Sequence, residues 1–311
     1  MNQISFSAHG KLLLTGEYAV LDGAKALALP TKFGQQLLFS PQPASNMLFW
    51  ESFTHVGDSW LTASWTLNSL KADIGSGLPE TKMLSELLSC MIKEKGLPIA
   101  FFEGKVTTHL DFPREWGLGT SSTLVSLLSQ WTGINAYYLL EKSFGGSGYD
   151  IAAALAKGPF FYKRNLENEH EPEISTANFN PDFLDHIYFL YSGKKQNSRE
   201  GIAAYRLKGR NPAYLSEISE ITEKVVETKH FSTFCSLMEY HEHLTGTHLG
   251  FVPIQKEYFS DFHGVVKSLG AWGGDFLMIL SEMTKDEISS YFNEKGYHLL
   301  FNYKEMIYNE K

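Results

Sequence analysis

Apolar and polar residues alternate in short runs through the first third of the chain, which predicts strands joined by turns. Ile4-Ser5-Phe6-Ser7 alternates, residues 11–18 continue as an extended segment, and Asp22-Gly23 marks a tight turn. Two further strands are expected at 26–29 and 35–39. Because successive side chains of a strand point to opposite faces, this pattern places one face of the sheet against a core.

Helical spacing appears further along the chain. Apolar residues three and four positions apart predict a helix over 81–95 that ends at Gly96-Leu97-Pro98. A strand is expected over 100–110, and a second helix over 121–131 follows a glycine-rich turn. In the second half, we expect strands at 187–191, 276–280 and 298–303 and helices at 213–228 and 286–295. This order of mixed strands and helices predicts an α+β fold.

An acidic segment interrupts these patterns. Over 163–180 the chain has no large apolar run, and glutamates alternate with other residues at positions 167, 169, 171 and 173. We predict a boundary between two lobes here, with the lobes at residues 1–165 and 175–311.

Composition narrows the function classes. The chain has 311 residues, 43% of them hydrophobic, and a formal net charge of −8, which argues against nucleic acid or an anionic membrane as the main partner. The two cysteines, Cys90 and Cys235, have no metal-ligand spacing and suggest a reducing compartment. No signal-peptide pattern and no membrane-length apolar run is visible, so we expect a soluble, cytoplasmic protein.

Three glycine-containing segments carry the candidate chemistry. In Trp116-Gly117-Leu118-Gly119-Thr120-Ser121-Ser122-Thr123, two glycines allow close approach to a ligand, and hydroxyls stand at a helix start that favours phosphate. The alternative is an ordinary glycine turn with a Ser/Thr helix cap. No lysine follows the second glycine, so the segment is not a Walker A loop.

The other two segments contribute a carboxylate and a second glycine turn. Asp150 follows the cluster Gly145-Gly146-Ser147-Gly148, where it could orient or deprotonate a hydroxyl, or could simply cap a helix over 151–157. The third segment, 267–276, places Gly270-Ala271-Trp272-Gly273-Gly274 before an apolar strand. Alone, it indicates only a turn.

Together the segments resemble the three motifs of the GHMP small-molecule kinases, in order and over nearly the whole chain. The start, Ala8-His9-Gly10-Lys11 through Gly16-Glu17-Tyr18-Ala19-Val20, is similar to that of mevalonate and phosphomevalonate kinases. Gly-Leu-Gly-Thr-Ser-Ser resembles the family's phosphate loop, Gly-Ser-Gly-Tyr-Asp the segment with its catalytic aspartate, and Gly-Ala-Trp-Gly-Gly-Asp its third motif. The resemblance implies a lobe like ribosomal protein S5 domain 2 followed by a ferredoxin-like lobe.

The resemblance also implies roles for individual residues. Lys11 and Asp150 would be the catalytic pair, and Ser121 and Glu141 would ligate magnesium. ATP would be bound by residues of the phosphate loop: Gly117, Leu118, Gly119, Thr120, Ser121 and Ser122. The acceptor substrate would be bound by residues spread over the chain: Glu17, Ser147, Gly148, Lys194, Ser198, Arg199, Gly273 and Gly274. Trp116 and Trp272 depart from the family pattern and could reshape the nucleotide pocket.

The implied function is an ATP- and Mg²⁺-dependent kinase of the mevalonate pathway. Phosphomevalonate is the expected acceptor and mevalonate the alternative. A diphosphomevalonate decarboxylase-like enzyme and a non-catalytic binding protein of the same fold remain further alternatives. The expected partner is a small molecule, with no nucleic acid or membrane, and the resemblance allows for a homodimer.

Overall fold

The computed structural model describes residues 3–75, 77–194, 198–270, 272 and 274–310; the side chains of Lys71, Ser198 and Arg199 lie outside this description. The chain forms two compact units. The first consists of Met1–Gly10, Phe33–Arg114 and Gly119–Leu155. The second consists of Lys11–Lys32, Glu115–Leu118 and Ala156–Lys311. The predicted lobe boundary at residues 165–175 remains a prediction.

In the described part of the first unit, a mixed sheet with parallel and antiparallel strand pairs packs with four α-helices. Its strands are β1 (Ile4–Thr15), β2 (Ala26–Pro41), β3 (Met47–Phe53), β4 (Ser59–Thr66), β5 (Lys71–Ile74) and β6 (Gly104–Leu110). The order is β5-β4-β3-β6-β2, and β1 pairs with β2. Strands β3 and β6 run parallel, whereas the pairs β2–β6, β3–β4 and β4–β5 are antiparallel. The long strands β1 and β2 also contribute residues to the second unit. Burial alternates along β6, which therefore packs one face on the core.

The helices of this unit confirm the predicted helical segments. They are α1 (Pro79–Ser89), α2 (Thr120–Thr132), α3 (Ala136–Glu141) and α4 (Tyr149–Ala153). The helix predicted over 81–95 is α1 continued by a π-helical turn at Cys90–Glu94, and the helix predicted over 121–131 is α2. Trp50, Trp65 and Val125 lie in the core that sheet and helices share.

Two strand predictions in the first half were too long. Residues Ile99–Phe102 form a 3₁₀ turn, and β6 begins only at Gly104. This turn lets the adjacent rings of Phe101 and Phe102 both contact Trp131, at centroid distances of 5.6 and 5.3 Å, whereas a strand would point them to opposite faces. Similarly, β1 ends at Thr15, because Gly16 adopts a φ of 90° that turns the chain.

The second unit contains a four-stranded antiparallel sheet and a small hairpin. Its strands are β7 (Phe160–Lys163), β8 (Glu173–Thr176), β9 (Ile187–Tyr191), β10 (Val265–Leu269), β11 (Phe276–Leu280) and β12 (Leu300–Asn302). The sheet order is β10-β11-β9-β12, while β7 pairs with β8 and with the first residues of β2. Every residue of β10 and β11 is buried, as the apolar sequence of β11 leads one to expect, whereas β10 also buries Lys267 and Ser268. The predicted strands 187–191 and 276–280 are confirmed.

Among the described residues of this unit, six α-helices complete the fold. They are α5 (Ser198–Lys208), α6 (Pro212–Glu227), α7 (Phe231–Leu249), α8 (Ile254–Tyr258), α9 (Lys285–Glu294) and α10 (Tyr303–Met306). Helices α6 and α9 lie within one residue of their predicted bounds. The strand predicted over 298–303 is shorter, since Asn302 caps α10 through a hydrogen bond from the Glu305 N–H. In the described part of the chain, no helix is both long and apolar enough to cross a membrane.

Candidate active site

The loop before α2 contains two glycines with positive φ angles. Gly117 and Gly119 adopt φ values of 67° and 99°, in the region that favours glycine. Gly119 occupies the N-cap position of α2, and no side chain caps the helix there. The first N–H groups of a 13-residue helix, which have no intrahelical partner, can therefore serve an anionic ligand.

The hydroxyls of the first turn of α2 divide into two pairs. Ser122 and Thr123 are buried, and their hydroxyls donate to Gly119 O at 2.9 Å and to Gln35 Oε1 at 2.7 Å. Thr120 is partly buried and Ser121 is exposed. Ser121 is thus the serine of this turn that presents its side chain to solvent, whereas the Ser122 hydroxyl stabilises the turn itself.

Lys11 reaches the same loop from strand β1. Its Nζ donates to Gly117 O at 2.8 Å, and its backbone N–H donates to Leu118 O at 3.0 Å. The ammonium group is partly buried, so little freedom remains to its long side chain. The bond fixes a positive charge at the first half of the predicted phosphate loop.

The third glycine segment packs against the first half of the predicted phosphate loop as well. A Cβ on Gly117 would overlap the carboxylate of Asp275, which follows Gly274. Ser192, in the loop after β9, is hydrogen-bonded to this segment. Its N–H donates to Asp275 O at 3.0 Å, and its hydroxyl donates to Gly274 O at 2.7 Å. Within the second unit, the structure therefore brings together Lys11, Gly117 and Gly274, which the sequence placed in three separate motifs.

Gly117 provides a direct test of the loop. We expect Gly117→Ala to weaken ATP binding at least about tenfold, because a left-handed conformation costs an L-residue roughly 1–2 kcal/mol and the new methyl group would also displace Asp275. Gly96→Ala is the matched control, since Gly96 has a φ of 70° and open space around its Cβ position. Titration calorimetry with ATP measures both variants. Unchanged affinity in a folded Gly117→Ala protein would place the nucleotide elsewhere.

Asp150 lies in the first turn of the short helix α4. Gly148, buried and at a φ of 86°, occupies the N-cap, so Asp150 is not the cap itself. One carboxylate oxygen accepts the N–H of Ile151 at 3.0 Å, and the side chain is partly buried. Its negative charge contributes, after burial, to raising the pKa of Tyr137. Strand β1 passes beside this helix, where His9 N donates to Ala154 O at 2.9 Å.

The predicted metal ligands are both exposed. Ser121 lies in the first turn of α2 and Glu141 at the end of α3. Among residues 3–75, 77–194, 198–270, 272 and 274–310, no group of three His, Cys, Asp or Glu side chains could hold a metal ion. Magnesium in nucleotide sites commonly keeps several waters and uses one or two protein ligands together with phosphate oxygens. The roles of Ser121 and Glu141 as magnesium ligands remain a prediction.

Glu17 occupies a buried cluster of charged residues in the second unit. Its carboxylate is ion-paired with Lys267 of β10, and its other oxygen lies 3.3 Å from Nε2 of His241 in α7. Glu17, Lys267 and His241 are at most 4% exposed. Burial, opposed by Lys267, raises the pKa of Glu17 to about 7, and burial lowers that of His241. The same Nε2 of His241 accepts a hydrogen bond from the N–H of Gly16 at 2.9 Å. A ring nitrogen can accept only when it carries no proton, so the imidazole is neutral and any proton is on Nδ1.

Sequence reasoning missed the partners of Glu17. One signal was present: Lys267 interrupts a short apolar strand, where a lysine is uncommon unless it is paired. His241 gave no such signal, because its helix is polar in sequence. Substrate binding by Glu17 remains a prediction, while the structure gives its carboxylate protein partners.

The remaining predicted substrate residues fall into two groups. Ser147 is partly buried beside Gly148, and Lys194 is exposed in the loop after β9, where its backbone N and O contact the Ser192 hydroxyl. Gly273 and the side chains of Ser198 and Arg199 lie outside the described residues.

Trp116 is a structural residue of the second unit. Its ring is 9% exposed and lies among Tyr191, Phe276 and Phe301, at centroid distances of 6.1, 6.0 and 5.3 Å. The hydroxyl of Tyr191 also donates to Glu115 O at 3.3 Å. These contacts anchor the start of the predicted phosphate loop on the four-stranded sheet.

Comparison with known proteins identifies the fold. No family model and no curated protein sequence matches the chain. Streptococcus pneumoniae phosphomevalonate kinase in complex with phosphomevalonate and AMPPNP is similar at a TM-score of 0.72 and 18% identity, over 96% of this chain and 99% of that one. Methanococcus jannaschii mevalonate kinase is similar at a TM-score of 0.69 and 16% identity, over 97% of this chain and 98% of that one. Staphylococcus aureus mevalonate diphosphate decarboxylase is similar at a TM-score of 0.61 and 13% identity, over 98% of this chain and 94% of that one.

Because all three structures share 18% identity or less with this chain, the likeness concerns the fold. A decarboxylase is among them, so the fold alone does not assign a reaction. Together with the mixed sheets and helices described above, the comparison confirms the prediction from the sequence: this chain has the α+β fold of the GHMP kinases.

Proposed function

We propose that the chain is an ATP- and Mg²⁺-dependent small-molecule kinase that phosphorylates phosphomevalonate. The observation that carries this proposal is the bond from Lys11 Nζ to Gly117 O at 2.8 Å. It fixes a cation at a glycine loop whose following helix has no side-chain cap. A positive charge combined with free helix N–H groups suits the phosphates of a nucleotide.

ATP is the proposed phosphoryl donor. The backbone of Gly117–Gly119 and the first N–H groups of α2 would bind its phosphates, and Ser121 and Glu141 would hold the magnesium ion. When bound, the ion neutralises part of the charge on the phosphate oxygens. The AMPPNP in the pneumococcal phosphomevalonate kinase, an analogue of ATP, supports this choice of donor by analogy of fold.

Lys11 and Asp150 are assigned complementary roles in the transfer. Asp150 would orient the acceptor oxygen and accept its proton, if it has one, since its partly buried carboxylate is held in position by the N–H of Ile151. Lys11 would stabilise the negative charge that spreads over the transferred phosphoryl group. Its bond to Gly117 O holds the ammonium in place before the substrate binds.

The proposed acceptor carries a carboxylate and a phosphate, so its recognition needs cationic groups. Lys194, exposed and held beside Gly274 through Ser192, supports an anionic acceptor at this loop. The phosphomevalonate bound to the pneumococcal enzyme supports the same choice. Mevalonate is the second candidate, on the strength of the archaeal mevalonate kinase.

Parallel assays distinguish these acceptors. ADP formation is measured with phosphomevalonate, mevalonate, homoserine, galactose and shikimate, and carbon dioxide release is measured with diphosphomevalonate. We expect the highest kcat/KM with phosphomevalonate. A higher kcat/KM with mevalonate reverses the order of the two acceptors. Turnover of a sugar or amino acid alone rejects the mevalonate-pathway assignment but keeps a kinase, and carbon dioxide release identifies a decarboxylase.

A further inference from the structure

Tyr18 has a backbone conformation that only a well-packed surrounding can maintain. Its φ and ψ are 61° and −44°, although it is not a glycine. Conformations of this kind cost on the order of 1–3 kcal/mol and persist where neighbouring contacts hold them. Tyr18 is buried, and it directly follows Glu17, whose carboxylate is ion-paired with Lys267. The main chain at Tyr18 is therefore fixed from its N-terminal side.

The side chain of Tyr18 is fixed as well. Its ring stacks on Tyr205 at a centroid distance of 5.9 Å and an interplanar angle of 23°. Helix α5 approaches so closely that a Cβ on Gly201 would overlap the Tyr18 hydroxyl. That hydroxyl accepts the backbone N–H of Trp272 at 2.7 Å. A rigid tyrosine thus binds the main chain of the third glycine segment.

Trp272 connects this anchor to the candidate site. Its ring packs on Phe251 at 5.6 Å and lies 2.9 Å from the Cβ position of Gly246. Three residues further on, Asp275 contacts Gly117 of the phosphate loop. On the other side of Trp272, the segment begins at β10, which carries Lys267. The contacts of Tyr18 and Glu17 therefore restrain Trp272 and Lys267, both of which precede Asp275 in the third glycine segment.

We propose that Tyr18 is a positioning residue for nucleotide binding, acting through the Trp272 N–H on the third glycine segment and through Asp275 on Gly117. The inference rests on the proposed kinase function. Loss of the Tyr18 hydroxyl therefore reduces the fraction of molecules whose loop is ready to bind. A smaller competent fraction raises the apparent dissociation constant and KM for ATP, while kcat is little changed.

The test is Tyr18→Phe, which keeps the ring and removes the hydroxyl. A hydrogen bond contributes about 0.5–1.5 kcal/mol, so we expect KM for ATP to rise about 2–12-fold with kcat within twofold of the wild type. Amide hydrogen exchange at Trp272 should also accelerate. Tyr205→Phe is the matched control: it removes the 2.7 Å bond to Asp22 from the stacked partner ring and leaves the bond between Tyr18 and Trp272 in place.

The two measurements separate this inference from the proposed function. If the wild type turns over ATP with none of the acceptors, the kinase proposal fails, and exchange at Trp272 still tests the Tyr18 anchor. If the wild type is active, unchanged exchange at Trp272 in Tyr18→Phe overturns the inference, and so does an unchanged KM. Equal effects of Tyr18→Phe and Tyr205→Phe on KM also overturn it, because they would reflect a general loss of packing.

Discussion

Asp150→Asn lowers kcat about 10²–10⁴-fold, and Lys11→Met lowers it about 10²–10³-fold, if the two residues act on the transition state as proposed. The free energy of unfolding should change little in either variant, because both side chains are only partly buried. Single-turnover kinetics with the identified acceptor measures the chemical step directly. KM for ATP should change less than kcat, since charge stabilisation is needed most in the transition state.

Matched surface variants show whether these losses are specific. The control variants are Asp58→Asn and Lys32→Met. Asp58 lies in the exposed turn between β3 and β4, and Lys32 occupies an exposed position of β2. Both should retain wild-type turnover. Near-normal kcat in Asp150→Asn and Lys11→Met, in folded protein, would show that the assigned catalytic pair is wrong.

Lys267→Met should lower the free energy of unfolding by about 3–5 kcal/mol, because it leaves the Glu17 carboxylate buried without its positive partner. The control is Lys285→Met, which removes an exposed pair with Glu305 at 2.7 Å and should cost about 0–1 kcal/mol. Urea unfolding of both variants at pH 8 gives the comparison. Similar losses in the two variants would contradict the burial of this ion pair.

The cost of Lys267→Met should also depend on pH. The pKa of Glu17 is already raised to about 7 in the presence of Lys267, and removal of the lysine raises it further. A raised folded-state pKa stabilises the folded form as pH falls from that value toward the unfolded value of 4.5. Glu242 of α7, whose pKa burial also raises, shifts in the same direction. We therefore expect a smaller loss at pH 5 than at pH 8; an equal loss at both would contradict this account.

The sequence predicted best those features that depend on neighbouring residues. Strand β11 is apolar throughout and has its predicted bounds, and α2 begins one residue before its predicted start, directly after Gly119. The prediction failed where distant contacts decide the conformation. Phe101 and Phe102 leave the strand conformation because both rings pack on Trp131, which lies about thirty positions later in the chain.

The candidate site shows the same division. Lys11, the predicted phosphate loop and Asp150 became candidates because each lies in a short motif with its own glycines, and their roles remain predictions. The contacts that hold them could not be predicted: Gly117 meets Asp275 and Tyr18 meets Trp272 over separations of more than 150 residues. Such pairs leave no periodic pattern in one sequence, and only the fold brings them together.

Phosphorus NMR of the reaction mixture tests the central claim, ATP-dependent phosphoryl transfer to phosphomevalonate, most directly. The protein is incubated with ATP, Mg²⁺ and phosphomevalonate, with Asp150→Asn as the matched inactive control. The account predicts that the ATP γ-phosphate signal is replaced by the signals of ADP and of a new diphosphate ester, in equal amounts, with the wild type only. Persistence of ATP and phosphomevalonate, or release of orthophosphate without a new diphosphate, would contradict it.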